Sequence, residues 1–231
     1  MNLLYPKSNK QITLPIEQAG TVYIDKIKLT RIENFITHDE CKSLIELAGD
    51  NFTHSTVYKN QKRGIDNISR TSRTCHITEN ELTIRIKEKV SQLVNKPINC
   101  IEKLQIVKYE PGQFFVAHND SFPLEYVLKN NNQRQYTILL YLNDDFSGGE
   151  TDFPKLELSF TPKTGDALFW ENCSNMRSFH IEALHSGKTV TNGIKYAINI
   201  WINFNEYIPP NVDINKILEP DVKKIDNQTI L

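Results

Sequence analysis

Tyr109-Glu110-Pro111-Gly112-Gln113-Phe114-Phe115-Val116-Ala117-His118-Asn119-Asp120 is the stretch on which the reading of this chain turns. Its end reads as strand, and residues two apart on a strand point the same way. His118 and Asp120 are therefore expected to aim an imidazole and a carboxylate into one cavity, with Asn119 turned away. A second imidazole would complete the two-histidine, one-carboxylate set that holds non-haem Fe(II) on one face and leaves the other open. Taken alone, a His-X-Asp pair is as well explained by chance, so the rest of the chain has to decide.

The surrounding text is all-β. Apolar segments at Ile101 to Tyr109, Phe114 to His118, Tyr136 to Leu142, Leu158 to Phe160, Ala167 to Trp170, Phe179 to His185 and Lys195 to Phe204 alternate with turn residues such as Gly148-Gly149 and Pro162-Lys163-Thr164-Gly165. No helices alternate with them, and the long intervals between partners favour a jelly-roll of two sheets over simple hairpins. The last segment divides by face. Tyr196, Ile198, Ile200, Ile202 and Phe204 make one apolar face, while Lys195, Ala197, Asn199, Trp201 and Asn203 make a face suited to lining a cavity. Lys195 is thus an inward-pointing charge.

Two helices precede this region. Thr37 to Glu40 has the form of a capping box ahead of Cys41, Leu44, Ile45 and Ala48, and Thr78 to Glu81 reads as a second one ahead of Leu82, Ile86, Val90, Leu93 and Val94, stopped by Pro97. Their apolar stripes need a sheet face to cover. Residues 55 to 76, with Lys59, Lys62, Arg63, Arg70 and Arg73 among polar residues, read as a mobile basic loop, either a solvated surface or a lid over a peptide. The division expected is an irregular lead-in over 1–20, a single catalytic domain over 21–205 with helical support at about 37–96 and the β core at about 101–205, and a C-terminal arm over 206–231.

Composition narrows the classes. A chain of 231 residues with 39% hydrophobic content buries a real core. With 27 basic and 28 acidic residues the net charge is -1, so no global field recruits nucleic acid or an anionic membrane. Cys41, Cys75, Cys100 and Cys173 are widely spaced, which argues for reduced, buried thiols over a zinc site or a disulfide framework. No apolar run has the length of a membrane span and the first residues lack a signal peptide's apolar centre, so a soluble, cytoplasmic protein is expected. Oligomeric state is not legible.

From Tyr109 to about Phe204 the chain resembles the catalytic domain of prolyl 4-hydroxylases, within the iron and 2-oxoglutarate-dependent dioxygenases. The matching pieces are Tyr109 and Gly112 before His118 and Asp120, then Tyr141-Leu142, Gly148-Gly149-Glu150-Thr151 with Phe153-Pro154, Pro162 with Gly165-Asp166-Ala167-Leu168, His185-Ser186-Gly187, Gly193 with Lys195, and Trp201. The resemblance implies a double-stranded β-helix with helices on one sheet, and Fe(II) on His118, Asp120 and His185. Lys195 then pairs with the distal carboxylate of 2-oxoglutarate. Tyr109 and Thr151, and with less support Tyr141, match positions that hydrogen-bond the co-substrate. Arg134 and Trp201 match positions facing a bound peptide, and Arg70-Thr71-Ser72 resembles the substrate-loop motif; packing is the alternative for Tyr141 and Trp201. His180, which the strand reading turns away from His185, is expected to be a hydrogen-bonded structural histidine. Phe115 departs from the tyrosine usual in the family, which bears on substrate selection.

The activity implied is hydroxylation of peptidyl proline at C4 in proline-rich or collagen-like peptides, with release of succinate and carbon dioxide and with ascorbate as reductant. The closest likeness is to the small enzymes of algae and large DNA viruses and to the collagen type. The alternatives are a 2-oxoglutarate-dependent hydroxylase of another protein side chain, or a silent domain that binds proline-rich peptides.

Overall fold

A computed structural model describes residues 20–59, 62–66 and 68–208. The lead-in up to residue 19 and the tail from Pro209 onward lie outside these residues. In chain order the strands are β1 (Thr21–Ile24), β2 (Leu29–Ile32), β3 (Thr53–His54), β4 (Val57–Lys59), β5 (Lys62–Gly64), β6 (Arg73–His76), β7 (Gln105–Tyr109) and β8 (Phe115–His118). They continue as β9 (Arg134–Tyr141), β10 (Ser147–Gly148), β11 (Thr151–Phe153), β12 (Leu158–Phe160), β13 (Ala167–Glu171), β14 (His185–Gly187), β15 (Val190–Asn192) and β16 (Lys195–Asn203). The helices are α1 (His38–Ala48), α2 (Glu81–Val94) and the short α3 (Leu124–Asn130).

The major sheet has eight strands in the order β1-β2-β13-β9-β16-β7-β6-β3, and the minor sheet has four, β12-β11-β14-β8. All pairings are antiparallel, as the jelly-roll reading requires. One face of the major sheet carries Ile106, Ile138, Leu140, Ile198, Ile200 and Ile202, packed against Cys41, Leu44 and Ala48 of α1 and Ile86, Val90 and Val94 of α2. The opposite face, with Val107, Tyr109, Leu139, Tyr141, Trp170 and Ala197, packs toward Phe153 and Phe160 of the minor sheet. β16 lies between β9 and β7 at the centre, so the alternation of its side chains separates a helix-covered core from an inter-sheet core.

One helix start is as expected and the other differs. Thr37 and Glu40 form the capping box of α1, Glu40 accepting from the Thr37 backbone N–H at 2.9 Å and Thr37 Oγ1 accepting from the Glu40 N–H at 3.2 Å. For α2 the cap is Asn80 paired with Thr83, two positions after the expected Thr78. Asparagine accepts the free N–H groups as well as threonine does, and the later start leaves Ile77 buried in the segment between β6 and the helix.

Three further readings are corrected. Residues 55 to 76 are not a structureless loop: β4 and β5 form a hairpin, and β6 joins the major sheet with Arg73 opposite Lys108 and Cys75 opposite Ile106. The segment is polar because it sits near a sheet edge, where backbone pairing and not apolar alternation makes the strand. Residues 60, 61 and 67 lie outside the described set. Phe179 to His185 is not a strand, since Ile181–Ala183 is a 3-10 turn and pairing begins at His185. Asn203 does not line the cavity; its amide donates to the Cys100 carbonyl and Glu102, both at 3.3 Å.

The cap assignment is open to measurement: Asn80→Ala should lower unfolding free energy by about 0.5–2 kcal/mol in urea titrations, and Thr78→Ala, at an exposed position, should stay within about 0.5 kcal/mol of the parent. Equal losses would move the helix start back to Thr78.

Candidate active site

His118 ends β8, His185 begins β14, and the two are direct cross-strand partners. Side chains so paired share one face, and the rings lie 4.3 Å apart between centroids. In each ring Nδ1 is 2.9 Å from a backbone carbonyl two residues earlier, Val116 for His118 and Ala183 for His185. A proton held on Nδ1 leaves Nε2 as a bare lone pair, the form in which histidine binds metals. The Asp120 carboxylate stands 3.7 Å from Nε2 of His118 and 3.8 Å from Nε2 of His185.

These ligand atoms lie within 4.8 Å of one another, and they are the one such group among the described residues. Two neutral imidazoles and a carboxylate on one side of an open cavity fit a divalent iron. Burial and the neighbouring His185 push the His118 ring well below the ordinary histidine range, which keeps it neutral and ready to ligate. Burial works against ionisation of Asp120, but the fields of His185, His118 and Arg134 and a hydrogen bond from Thr137 outweigh it and keep the carboxylate charged.

The strand argument for Asp120 needs amendment. β8 stops at His118, and Asp120 sits in the turn that follows. Its direction is set instead by Thr137, whose hydroxyl donates to Oδ2 at 2.8 Å.

Behind the triad lies a cavity of about 750 Å³ lined by Tyr109, Thr151, Trp170, Lys195, Ala197 and Trp201, among others. Lys195 pairs with Tyr109 across β16 and β7, so both side chains enter this space. Lys195 is 3% exposed, and its ammonium donates to the Gly149 carbonyl at 2.6 Å and makes no ion pair among the described residues. Burial drags it down to about 8, with a small counter-effect from Glu150. Gly149, at φ +67, leaves room for that approach: a Cβ there would come 3.2 Å from Cδ of Lys195. Tyr141 donates to Thr151 Oγ1 at 2.7 Å, which frees the threonine's own proton for an acceptor in the cavity. Burial pushes the Tyr109 phenol up, opposed by Arg70 and Ser72 beside it.

On the outer side, Arg134 is held by Glu102 through two bonds of 2.6 and 2.9 Å. Its guanidinium lies 3.5 Å from the centroid of the Trp201 ring and 4.5 Å from that of Phe122. Glu102 and Phe122 were not singled out from sequence; the signal available was an acid in an apolar stretch, Ile101 to Tyr109, that needed a buried cation. Arg70 is buried, not displayed on a loop. It bonds Ser72 Oγ at 3.0 Å, bridges to Phe115 in backbone register, and sits 4.6 Å above the Phe115 ring. Phe115 in turn stacks on His118 at 3.5 Å.

His180 stands apart from the triad. Its ring Nε2 is 3.8 Å from Glu171 and has no hydrogen-bond partner, while its backbone N–H donates to Asn172 at 2.8 Å. It is structural as expected, though through its backbone and not a ring hydrogen bond, and the 3-10 turn, not strand parity, separates it from His185.

The fold and the triad define a class. The profile of the 2OG-Fe(II) oxygenase superfamily matches residues 104–203. A putative prolyl 4-hydroxylase of Acanthamoeba polyphaga mimivirus is 33% identical over 183 residues, covering 76% of this chain and 74% of the relative. A probable prolyl 4-hydroxylase of Arabidopsis thaliana is 34% identical over 196 residues, covering 75% and 68%. The viral collagen prolyl hydroxylase of Paramecium bursaria Chlorella virus-1, solved with 2OG, superposes with a TM-score of 0.62 at 28% identity over 76% of this chain and 95% of its own. This chain belongs to the prolyl 4-hydroxylase family of Fe(II) and 2-oxoglutarate-dependent oxygenases, and its reaction is the hydroxylation of proline. Among the described residues no helix is long and apolar enough to cross a membrane.

The uncompensated charge at Lys195 has a consequence for stability. The folded chain releases this proton at about 8, against an ordinary lysine value of 10.5, so between those values the unfolded chain holds more protons and stability rises with pH. Lys195→Met should therefore raise stability at pH 7 by roughly 1–3 kcal/mol, with the gain shrinking toward pH 10. Urea midpoints of both proteins at pH 7 and pH 9.5, without metal or co-substrate, check this; a gain that does not shrink counts against a buried, unpaired ammonium.

Proposed function

We propose that the chain hydroxylates C4 of proline in proline-rich or collagen-like peptides, with His118, Asp120 and His185 holding Fe(II) and Lys195 holding the distal carboxylate of 2-oxoglutarate. The observation that carries this is the shared cavity: three convergent metal-binding atoms and a buried ammonium with no ion pair among the described residues open into one space. Iron, when bound, supplies the dioxygen chemistry that converts 2-oxoglutarate to succinate and carbon dioxide and oxidises the proline. Ascorbate is its reductant.

The protein's own part is placement and exclusion of water. The neutral Nε2 atoms and the charged Asp120 present three donors from one side and leave the opposite side to the co-substrate. Lys195 meets an incoming carboxylate where little water screens the pair, so a charge that weakens the empty fold strengthens the complex. Thr151, its hydroxyl oxygen already accepting from Tyr141, donates to the same carboxylate, and Tyr109 joins that pocket to the peptide side through Arg70 and Ser72.

A peptide in polyproline II shape offers rings and free carbonyls, which call for aromatic walls and fixed donors. Trp201 supplies a ring face and an Nε1–H that is buried without a partner. Arg134, clamped by Glu102, keeps Nη1 for a peptide carbonyl. Arg70 lies over the ring face of Phe115, the position that departs from the family's tyrosine, beside the triad. The catalytic unit is taken as residues 21–205, and the four unpaired, buried cysteines suit the reducing cytoplasm.

The test is turnover of proline-rich peptides with iron and 2-oxoglutarate, read by mass spectrometry and by succinate release. Asp120→Ala should abolish both, and near-normal succinate from that variant would remove Asp120 from the metal. Lys195→Ala should raise the 2-oxoglutarate KM at least tenfold, about 1.4 kcal/mol or more, while metal binding persists. An unchanged KM would mean that the carboxylate binds elsewhere. Trp201→Ala and Arg134→Ala should depress peptide turnover far more than peptide-independent consumption of 2-oxoglutarate; equal loss of both would make those residues structural.

A further inference from the structure

Asp120 is the member of the triad that no strand holds. The turn carrying it is pinned by Gln133, whose Oε1 accepts from the Phe122 N–H at 2.6 Å and whose Nε2 donates to the Phe122 carbonyl at 2.9 Å. That fixes the backbone but leaves the carboxylate free to rotate. A line of three buried side chains ends on it. Trp170 Nε1 donates to Asn172 Oδ1 at 2.9 Å, Asn172 Nδ2 donates to Thr137 Oγ1 at 2.9 Å, and Thr137 donates to Asp120 Oδ2 at 2.8 Å.

The direction of this line is forced by its far end. An indole N–H can only donate, so it selects the Asn172 amide orientation with Oδ1 toward Trp170 and Nδ2 toward Thr137. Thr137 then accepts from the amide, and its single proton is left for Asp120. All three residues are at most 1% exposed, so water does not compete. Trp170 also packs its ring edge-to-face on His185 at 4.7 Å, so it touches one ligand directly and another through the line.

Both carboxylate oxygens of Asp120 face the triad, Oδ1 at 3.7 Å from Nε2 of His118 and Oδ2 at 3.8 Å from Nε2 of His185, but Oδ2 already accepts from Thr137. We propose that Thr137, Asn172 and Trp170 are positioning residues that hold Oδ2 through this bond and so present Oδ1 as a one-oxygen ligand. This rests on the metal reading above. A carboxylate so tied cannot swing to bind through both oxygens, which keeps a coordination position open for the co-substrate. The alternation of β9 supports it: Thr137 is a polar residue on the face that also carries Leu139 and Tyr141, where packing alone would favour valine.

The experiment is Co(II) titration of the full chain, followed by visible absorption and without turnover, beside thermal melts. Thr137→Val removes only the hydroxyl and should weaken Co(II) binding about 10–100-fold, with a spectrum shifted toward higher coordination as the carboxylate binds through both oxygens. Thr137→Ser should restore affinity and spectrum. Trp170→Phe keeps an aromatic ring on His185 but releases the amide, and should weaken binding severalfold even if Thr137→Val folds poorly. Wild-type affinity and spectrum in both Thr137→Val and Trp170→Phe overturn the inference. Wild-type chain binding Co(II) no better than Asp120→Ala would overturn the metal reading itself, whereas tight wild-type binding matched in constant and spectrum by both Thr137→Val and Trp170→Phe defeats the positioning role alone.

Discussion

The alternation of side chains along β16 is the constraint on which the rest of the molecule depends. Ile198, Ile200 and Ile202 are each fully buried against the helices, so the register of the strand is set by burial of a continuous apolar face. A slip of one residue would drive those isoleucines into the cavity and Lys195 into the helix interface. Since burial of each aliphatic side chain is worth about 1.5–3 kcal/mol, the cost of that slip far exceeds the penalty for a single buried ammonium. The fold thus holds a charge inward that it would otherwise reject.

The same economy of placement runs through the site. The minor sheet sets His118 opposite His185 by simple cross-strand pairing, and the Val116 and Ala183 carbonyls select the tautomer. The major sheet supplies what lies behind: Tyr109 from β7, Tyr141 and Thr137 from β9, Trp170 from β13 and Lys195 from β16. Each sheet is rigid through its ladder, and the cavity exists because the two meet over an inter-sheet core that stops short of the triad. Both histidines and Thr151 therefore come from the minor sheet and Asp120 from the turn after β8, while Tyr109, Thr137, Tyr141, Trp170 and Lys195 come from the major sheet.

The outer part of the cavity is built by ion pairing and stacking and owes less to strand pairing. Glu102 and Arg134 neutralise one another within the protein, and burial of Arg134 between Trp201 and Phe122 is tolerated because the Glu102 carboxylate keeps its guanidinium charged against the pull of desolvation. Arg70 has no carboxylate ion pair among the described residues; burial lowers it, and it touches Tyr109, Ser72, the Thr56 carbonyl and the Phe115 ring. The outer cavity thus holds one cation through a two-bond ion pair and another through hydrogen bonds and a ring contact.

Much of this was legible in the amino-acid sequence because it follows from periodicity. The period of two along residues 195 to 204 separated a helix-facing stripe from a cavity wall, and the period of 3.6 in the two helices identified what covers that stripe. His118, His185 and Lys195 could be brought together from strand order and from the family likeness. Periodicity says nothing of residues placed by turns or by distant partners. Asp120 lies past its strand and is aimed by Thr137; Arg134 is tied to Glu102, remote in sequence; and Arg70, which reads as part of a polar loop, is buried because β6 and the adjacent bridge to Phe115 draw it inward. Those positions depend on which side chains meet across sheets, a long-range geometric fact that local sequence does not encode. Only the tertiary structure could decide them.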